Sequence, residues 1–178
     1  MRHVTLVTGG GRSGKSRYGL NAALAYARRV FVATAVPCDP EMADRIARHR
    51  AERGDAFRTI EAQTRVADAI REHGPTADVV LVDCITIWVN NLLHERERGG
   101  VVPDTEIAAF LDTLRAPPCD LILVTNEVGM GIVPVGDLTR EYRDLVGMVN
   151  QQVAALADRV VFTVCGLPIV LKGQDRAP

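Results

Sequence analysis

The chain has 178 residues, 47% of them hydrophobic and 24% charged, with a formal net charge of −1. That length and mixture fit one domain, over residues 1–178, able to bury its own core, and the near balance of charge gives no electrostatic reason to expect nucleic acid or an anionic membrane as a partner. The cysteines Cys38, Cys84, Cys119 and Cys165 are scattered without a C-x-x-C pair, which reads as buried thiols in a reducing cytoplasm. No apolar stretch nears the ~18 residues that span a bilayer, and no secretory leader is legible.

In chain order, "HVTLVT" is a continuous apolar run of the kind found in a strand buried on both faces. A helix is expected from 15 to about 29, with Leu20, Leu24 and Ala27 on one side, followed by a strand at "VFVATA". A second helix is expected over 39–53, with Asp39 as N-cap and Pro40 at the first helical position. "AFRTIE" reads as a short strand, 64–73 as a helix ended by Gly74-Pro75, and "DVVLVDC" as a buried strand with a helix after it through Leu93. "RERGGVVP" is an exposed connection, 103–115 a helix, "DLILVTN" a strand and "EVGMGIVPVG" a broken loop. From Asp137, Leu138, Tyr142, Leu145, Val146, Val149, Val153 and Leu156 recur at helical spacing. "RVVFTV" and "PIVLK" read as a terminal hairpin. Strands alternating with helices predict an α/β fold with a largely parallel sheet and helices on both faces.

The first strand runs into "GGGRSGKS", residues 9–16, which is G-x-x-x-x-G-K-[ST], the P-loop. Gly9, Gly10, Gly11, Arg12, Ser13 and Gly14 form a tight turn whose amides converge on phosphate, and the helix starting beside Gly14 adds its positive end. Lys15 brings a full charge to the β- and γ-phosphates, and the Ser16 hydroxyl suits Mg²⁺. Asp83, ending a buried strand, is the carboxylate placed to share that Mg²⁺, or else caps the helix that follows. Glu127, just past "LILVTN", is a second carboxylate at the edge where α/β sheets gather ligands. His3, His73 and His94 read as ordinary residues. His49 shares a helix face with Met42 and Ile46, so it either borders the inward side or is an exposed helix residue.

The stretches "VTGGGRSGKSR", "FVATA", "DPEMADRIARHR", "FRTIE", "VLVDCITIWVNNLL", "LVTNEVGMGIVP" and "YRDLVGMVNQ" together resemble the bifunctional adenosylcobinamide kinase/adenosylcobinamide-phosphate guanylyltransferase family of cobalamin biosynthesis. The resemblance implies a RecA-like P-loop NTPase sheet, a homotrimer, ATP and GTP as substrates, and adenosylcobinamide and its phosphate as corrinoid acceptors. It implies that His49 attacks the α-phosphorus of GTP and carries GMP, on a helix that moves between the two reactions. It also implies nucleotide contacts at Thr34, Ala35, Val36, Ala51, Glu52, Arg53, Gly54, Glu61 and Asp83. Two positions depart from the family pattern, which often has Glu where Asp83 stands and a second histidine where Arg48 stands. Two other readings use parts of the same sequence. A P-loop kinase for another hydroxylated substrate would make His49 a bystander. A RecA-type assembly module would have no small-molecule substrate, and the near-neutral charge argues against it.

Overall fold

Aliphatic and β-branched runs make the strands of this chain, described by a computed structural model over residues 2–37 and 40–174, with the backbone alone at 41, 42, 45, 48, 49 and 52. The elements are β1 (Val4–Gly9), α1 (Lys15–Ala23), β2 (Arg29–Ala33), α2 (Pro40–Arg53), β3 (Arg58–Glu61), α3 (Val66–His73) and β4 (Val79–Asp83), then α4 (Ile85–Glu97), α5 (Pro103–Arg115), β5 (Asp120–Val124), α6 (Asp137–Leu156), β6 (Arg159–Val164) and β7 (Leu167–Lys172). The seven strands form one sheet in the order β3-β2-β4-β5-β1-β6-β7. Every pairing is parallel except β6 with β7, so the expected largely parallel sheet with a C-terminal hairpin is present.

Alternate residues along each strand face opposite layers. Val4, Leu6, Val30, Val32, Val80, Val82, Leu121 and Leu123 join one core with α3, α4, α5 and α6. Trp88 is buried there against Phe110 and donates its indole N–H to the Thr64 carbonyl at 2.7 Å. Val7, Phe31, Val79, Leu81, Ile122 and Val124 join the other core, with Ala23 of α1 and Phe57.

Two sequence expectations need correction. Helix α1 stops at Ala23 and buries Lys15, Gly19 and Ala23, whereas Leu24 and Ala27 are exposed. The reason is close packing: a Cβ on Gly19 would lie 3.1 Å from Val124 Cγ2 and 3.3 Å from Leu81 Cδ1, so the small-residue face meets the sheet. The chain must then turn back to begin β2 at Arg29. Cys165 is exposed rather than buried, because Cys165-Gly166, with φ of 52° and 79°, is the two-residue turn of the β6–β7 hairpin. Cys84 and Cys119 are buried, and burial pushes the Cys119 thiol up to about 11. Cys38 and Asp39 lie outside the described residues, and Pro40 opens α2 as expected.

Candidate nucleotide and phosphate site

The loop between β1 and α1 has, at its two framing glycines, a backbone that side chains could not follow. Gly9 and Gly14 have φ of 151° and 99°. A Cβ on Gly9 would meet the Thr163 carbonyl oxygen at 2.4 Å, and one on Gly14 would meet Gly166 Cα at 3.2 Å. Gly10, Gly11 and Arg12 are exposed, while Ser13 and Lys15 are buried. Lys15 Nζ donates to the Gly10 carbonyl at 2.6 Å, which holds the ammonium within the loop. Tyr18 N–H closes on the Gly14 carbonyl at 2.9 Å. The amides of the first turn of α1 therefore remain as donors at its positive end.

The C-terminal hairpin braces this loop from the side. Ser13 Oγ and Thr163 Oγ1 are hydrogen-bonded at 2.7 Å. Gly166 N–H donates to the Ser13 carbonyl at 3.0 Å. On the other flank, Thr125 N–H donates to the Val7 carbonyl and Glu127 N–H to the Gly9 carbonyl, each at 3.0 Å.

A polar chain ties the ends of the central strands together. Thr34, fully buried, donates its hydroxyl to the Cys84 carbonyl at 2.9 Å and accepts from Cys84 N–H at 2.8 Å. Thr86 Oγ1 accepts from Asn126 Nδ2 at 3.0 Å and lies 3.0 Å from Cys84 Sγ. Thr125 Oγ1 donates to Asn150 Oδ1 at 2.7 Å, and Asn150 Nδ2 donates to the Asn126 carbonyl at 3.0 Å. Tyr142 donates to the Thr86 carbonyl at 3.3 Å, and burial pushes its phenol up to about 12. Each of these buried polar groups thus has a partner, as a rigid edge requires.

A cleft opens beside the loop. Ser16, Asp83 and Cys84 line one part of it, Phe31, Ala33, Ala35 and Ile87 its apolar floor, and Ile46, Arg50, Arg53, Thr59 and Glu61 the far wall. Asp83 ends β4, and the N-cap position of α4 belongs to Cys84, not to the Asp83 side chain. Arg53 is buried with its guanidinium 3.7 Å from the Phe31 ring centroid. Exposed Arg50 and Glu61 are paired at 3.4 Å.

The structure therefore brings Ser16, Ala35, Arg53, Glu61 and Asp83 around one cleft, beside the phosphate loop that carries Lys15. Val36 is half-buried, and Ala51 and Gly54 are exposed. Thr34 uses its hydroxyl within the strand edge. The side chains of Arg48, His49 and Glu52 lie outside the described residues. Several groups here went unread in the sequence. Phe31 lies in an apolar strand and reads as core, and Arg50 reads as a solvated helix residue. Thr163, 150 residues from Ser13, carries no local signal beyond being polar in an apolar strand.

Residues 5–171 match the model of the family described as cobinamide kinase / cobinamide phosphate guanyltransferase. A Pseudomonas aeruginosa relative named bifunctional adenosylcobalamin biosynthesis protein CobP is 42% identical over 170 residues, covering 95% of this chain and 97% of its own. An Escherichia coli K12 relative named bifunctional adenosylcobalamin biosynthesis protein CobU is 38% identical over 181 residues, covering 95% and 99%. Among solved structures, the RadB recombinase superposes with a TM-score of 0.54 at 16% identity, over 98% of this chain and 83% of that one. An ATPase from a type III secretion system does so at 0.56 and 12%, over 94% and 56%. These likenesses show the RecA-like P-loop fold alone. The sequence match, carried by a phosphate loop whose geometry is intact, makes this chain a member of the cobinamide kinase / cobinamide phosphate guanyltransferase family.

Proposed function

We propose that the chain catalyses two successive transfers in cobalamin biosynthesis. The first moves a γ-phosphoryl group from ATP or GTP to the aminopropanol hydroxyl of adenosylcobinamide. The second moves GMP from GTP, by way of guanylyl-His49, to adenosylcobinamide phosphate, giving adenosylcobinamide-GDP and pyrophosphate. The observation that carries this reading is the shared cleft: residues of the phosphate loop and its metal side, Ser16 and Asp83, open onto the same space as Ile46, Arg50 and Arg53 of α2. His49 stands on that helix three residues after Ile46 and four before Arg53, the spacing of one helix face.

Lys15 and the first-turn amides of α1 would hold the phosphates and neutralise charge as the leaving group departs. Phe31, Ala33 and Ile87 offer apolar area to a base. Glu61 offers a carboxylate that can accept from the paired N–H donors of guanine, which suits GTP in the second step. The donor chemistry fits Mg²⁺. A hydroxyl and a carboxylate line one cleft, no cage of three His, Cys, Asp or Glu exists among the described residues, and Mg²⁺ is commonly held by one or two protein oxygens plus phosphates. When bound by Ser16 and Asp83, it would add positive charge against the phosphate oxygens.

A neutral imidazole is nucleophilic near pH 7. Attack by His49 forms an N–P bond and breaks the bond to pyrophosphate, and the acceptor phosphate then displaces the imidazole. Helix α2 moves between the two reactions, so that the histidine nears the α-phosphorus only in the second. Trimeric assembly in the cytoplasm completes this reading. Among the described residues no helix is long and apolar enough to cross a membrane, and exposed Leu167, Ile169 and Leu171 on edge strand β7 offer apolar area to a subunit contact.

Incubation with GTP labelled at the α-phosphate tests the reading. Acid-labile label should appear on the wild-type protein and be absent from His49→Ala, which should still phosphorylate cobinamide. An unlabelled wild-type protein that phosphorylates cobinamide would reduce the function to a kinase.

A further inference from the structure

The two transfers proposed above employ Asp83 and leave the second carboxylate at the sheet edge, Glu127, without a task. We propose that Glu127 is the general base of the phosphoryl step, accepting the proton of the acceptor hydroxyl, and that it takes no part in guanylyl transfer. This rests on the kinase half of the reading above.

Three observations converge on it. The first is position. β5 lies between β1 and β4, and beyond its end the chain stays paired to the phosphate loop, with Thr125 N–H on the Val7 carbonyl and Glu127 N–H on the Gly9 carbonyl, both at 3.0 Å. Strands so paired run about 5 Å apart, so Glu127 rises directly beside the first glycine of the loop. The second is rigidity. The two residues before it are held by side chains, Thr125 by Asn150, and Asn126 by both Asn150 and Thr86. The third is availability. Glu127 is half-buried, and among the described residues no hydrogen bond or ion pair engages its carboxylate.

Glu127 is also absent from the cleft that Ile46, Arg50 and Arg53 line. A base beside the first glycine of the loop and outside that cleft serves the phosphoryl step rather than the histidine of α2. The loop that follows carries Ile132 and Val135, 97% and 95% exposed, which gives apolar area to a bulky acceptor entering from that side.

The step balances without another reactant. The acceptor oxygen forms a bond to the γ-phosphorus while the bond from that phosphorus to the β-bridging oxygen breaks. The hydroxyl proton passes to the Glu127 carboxylate, and the nucleoside diphosphate leaves with the bridging electron pair. Glu127 then returns the proton to water.

The test compares wild type, Glu127→Gln and Glu127→Asp in both half-reactions. A positioned base contributes about 10²- to 10⁴-fold. Glu127→Gln should therefore lose at least about 10²-fold in the rate of cobinamide phosphorylation, and Glu127→Asp should recover part of it. Both variants should match wild type in thermal midpoint and in acid-labile labelling from α-labelled GTP. Equal loss of both half-reactions, or phosphorylation by Glu127→Gln within a few-fold of wild type, overturns the assignment. Wild-type protein that leaves cobinamide unphosphorylated sinks the kinase reading itself and this role with it.

Discussion

The phosphate loop and helix α2 border the same cleft and are built in opposite ways. The loop is braced from both flanks: Ser13 is bonded to Thr163, the Gly166 amide reaches in from the hairpin, Glu127 N–H holds Gly9, and Lys15 is buried. Helix α2 lies over the edge of the sheet. Of its described side chains Pro40, Ala43, Asp44, Ala47, Arg50 and Ala51 are exposed, Ile46 is half-buried, and Arg53 alone is buried, on Phe31. The difference suits a site that handles one set of phosphates in two ways. The cradle gains from being formed in advance, because fixed dipoles need no reorganisation as charge develops. A nucleophile-bearing helix that must be absent from one reaction and present in the next gains from a shallow attachment.

The contrast can be broken most forcefully at the loop. Gly9→Ala should abolish both half-reactions and lower stability by about 2–3 kcal/mol, since the new methyl collides with a backbone oxygen at a φ unsuited to alanine. Urea melts and nucleotide titration check this. An unchanged midpoint with normal nucleotide affinity would mean that the loop is not rigid. Next comes Asn150→Ala. It leaves the Thr125 hydroxyl and the Asn126 carbonyl unpaired in the interior and should cost about 2 kcal/mol. Because Asn150 acts through the segment leading to Glu127, phosphoryl transfer should fall more than labelling of the protein by GTP.

Those two positions also mark where sequence is informative. Gly9 is legible because a P-loop is local: glycine spacing, lysine and hydroxyl lie within eight residues of a strand end. The strands are legible because burial on both faces leaves unbroken apolar runs. Asn150 is not legible, since it sits mid-helix in α6 and its partners are 24 and 25 residues away. The end of α1 is equally hidden. "NAALAYARR" has good helix propensity throughout, and the position of β2 together with the glycine contact at residue 19 ends the helix sooner. In the cleft, Ser16 and Asp83 announce themselves by motif, whereas Phe31 gains meaning only when Arg53 is found stacked on it.

The comparison sharpens on the α2 side. Arg53→Ala removes the stacked guanidinium and should cost only about 1 kcal/mol, while slowing GMP transfer and sparing phosphorylation. A larger destabilisation, measured by urea melts, would show that α2 is an integral part of the core. Glu61→Gln breaks an exposed pair with Arg50 and should change stability by less than about 0.5 kcal/mol. Its effect belongs in the preference for GTP over ATP during labelling, which should narrow.

The smallest expected effect concerns a pair remote from both regions. Asp78 accepts from Arg28 Nε at 3.0 Å, from its Nη2 at 2.6 Å and from its backbone N–H at 2.8 Å. These hydrogen bonds, with the adjacent positive charge, hold the Asp78 carboxyl below its ordinary range. The folded chain therefore keeps Asp78 ionised at a pH where the unfolded chain takes up a proton. Its contribution is present above the unfolded value of about 4 and is lost as the pH falls through the lower folded value. Asp78→Asn should accordingly leave the cleft and both half-reactions untouched and slightly weaken the fold at neutral pH. The gap from wild type should close as melts are taken toward pH 3. A gap that widened on acidification would mean that Arg28 does not stabilise the ionised carboxylate, and any loss of phosphoryl transfer would tie the far end of β4 to the site.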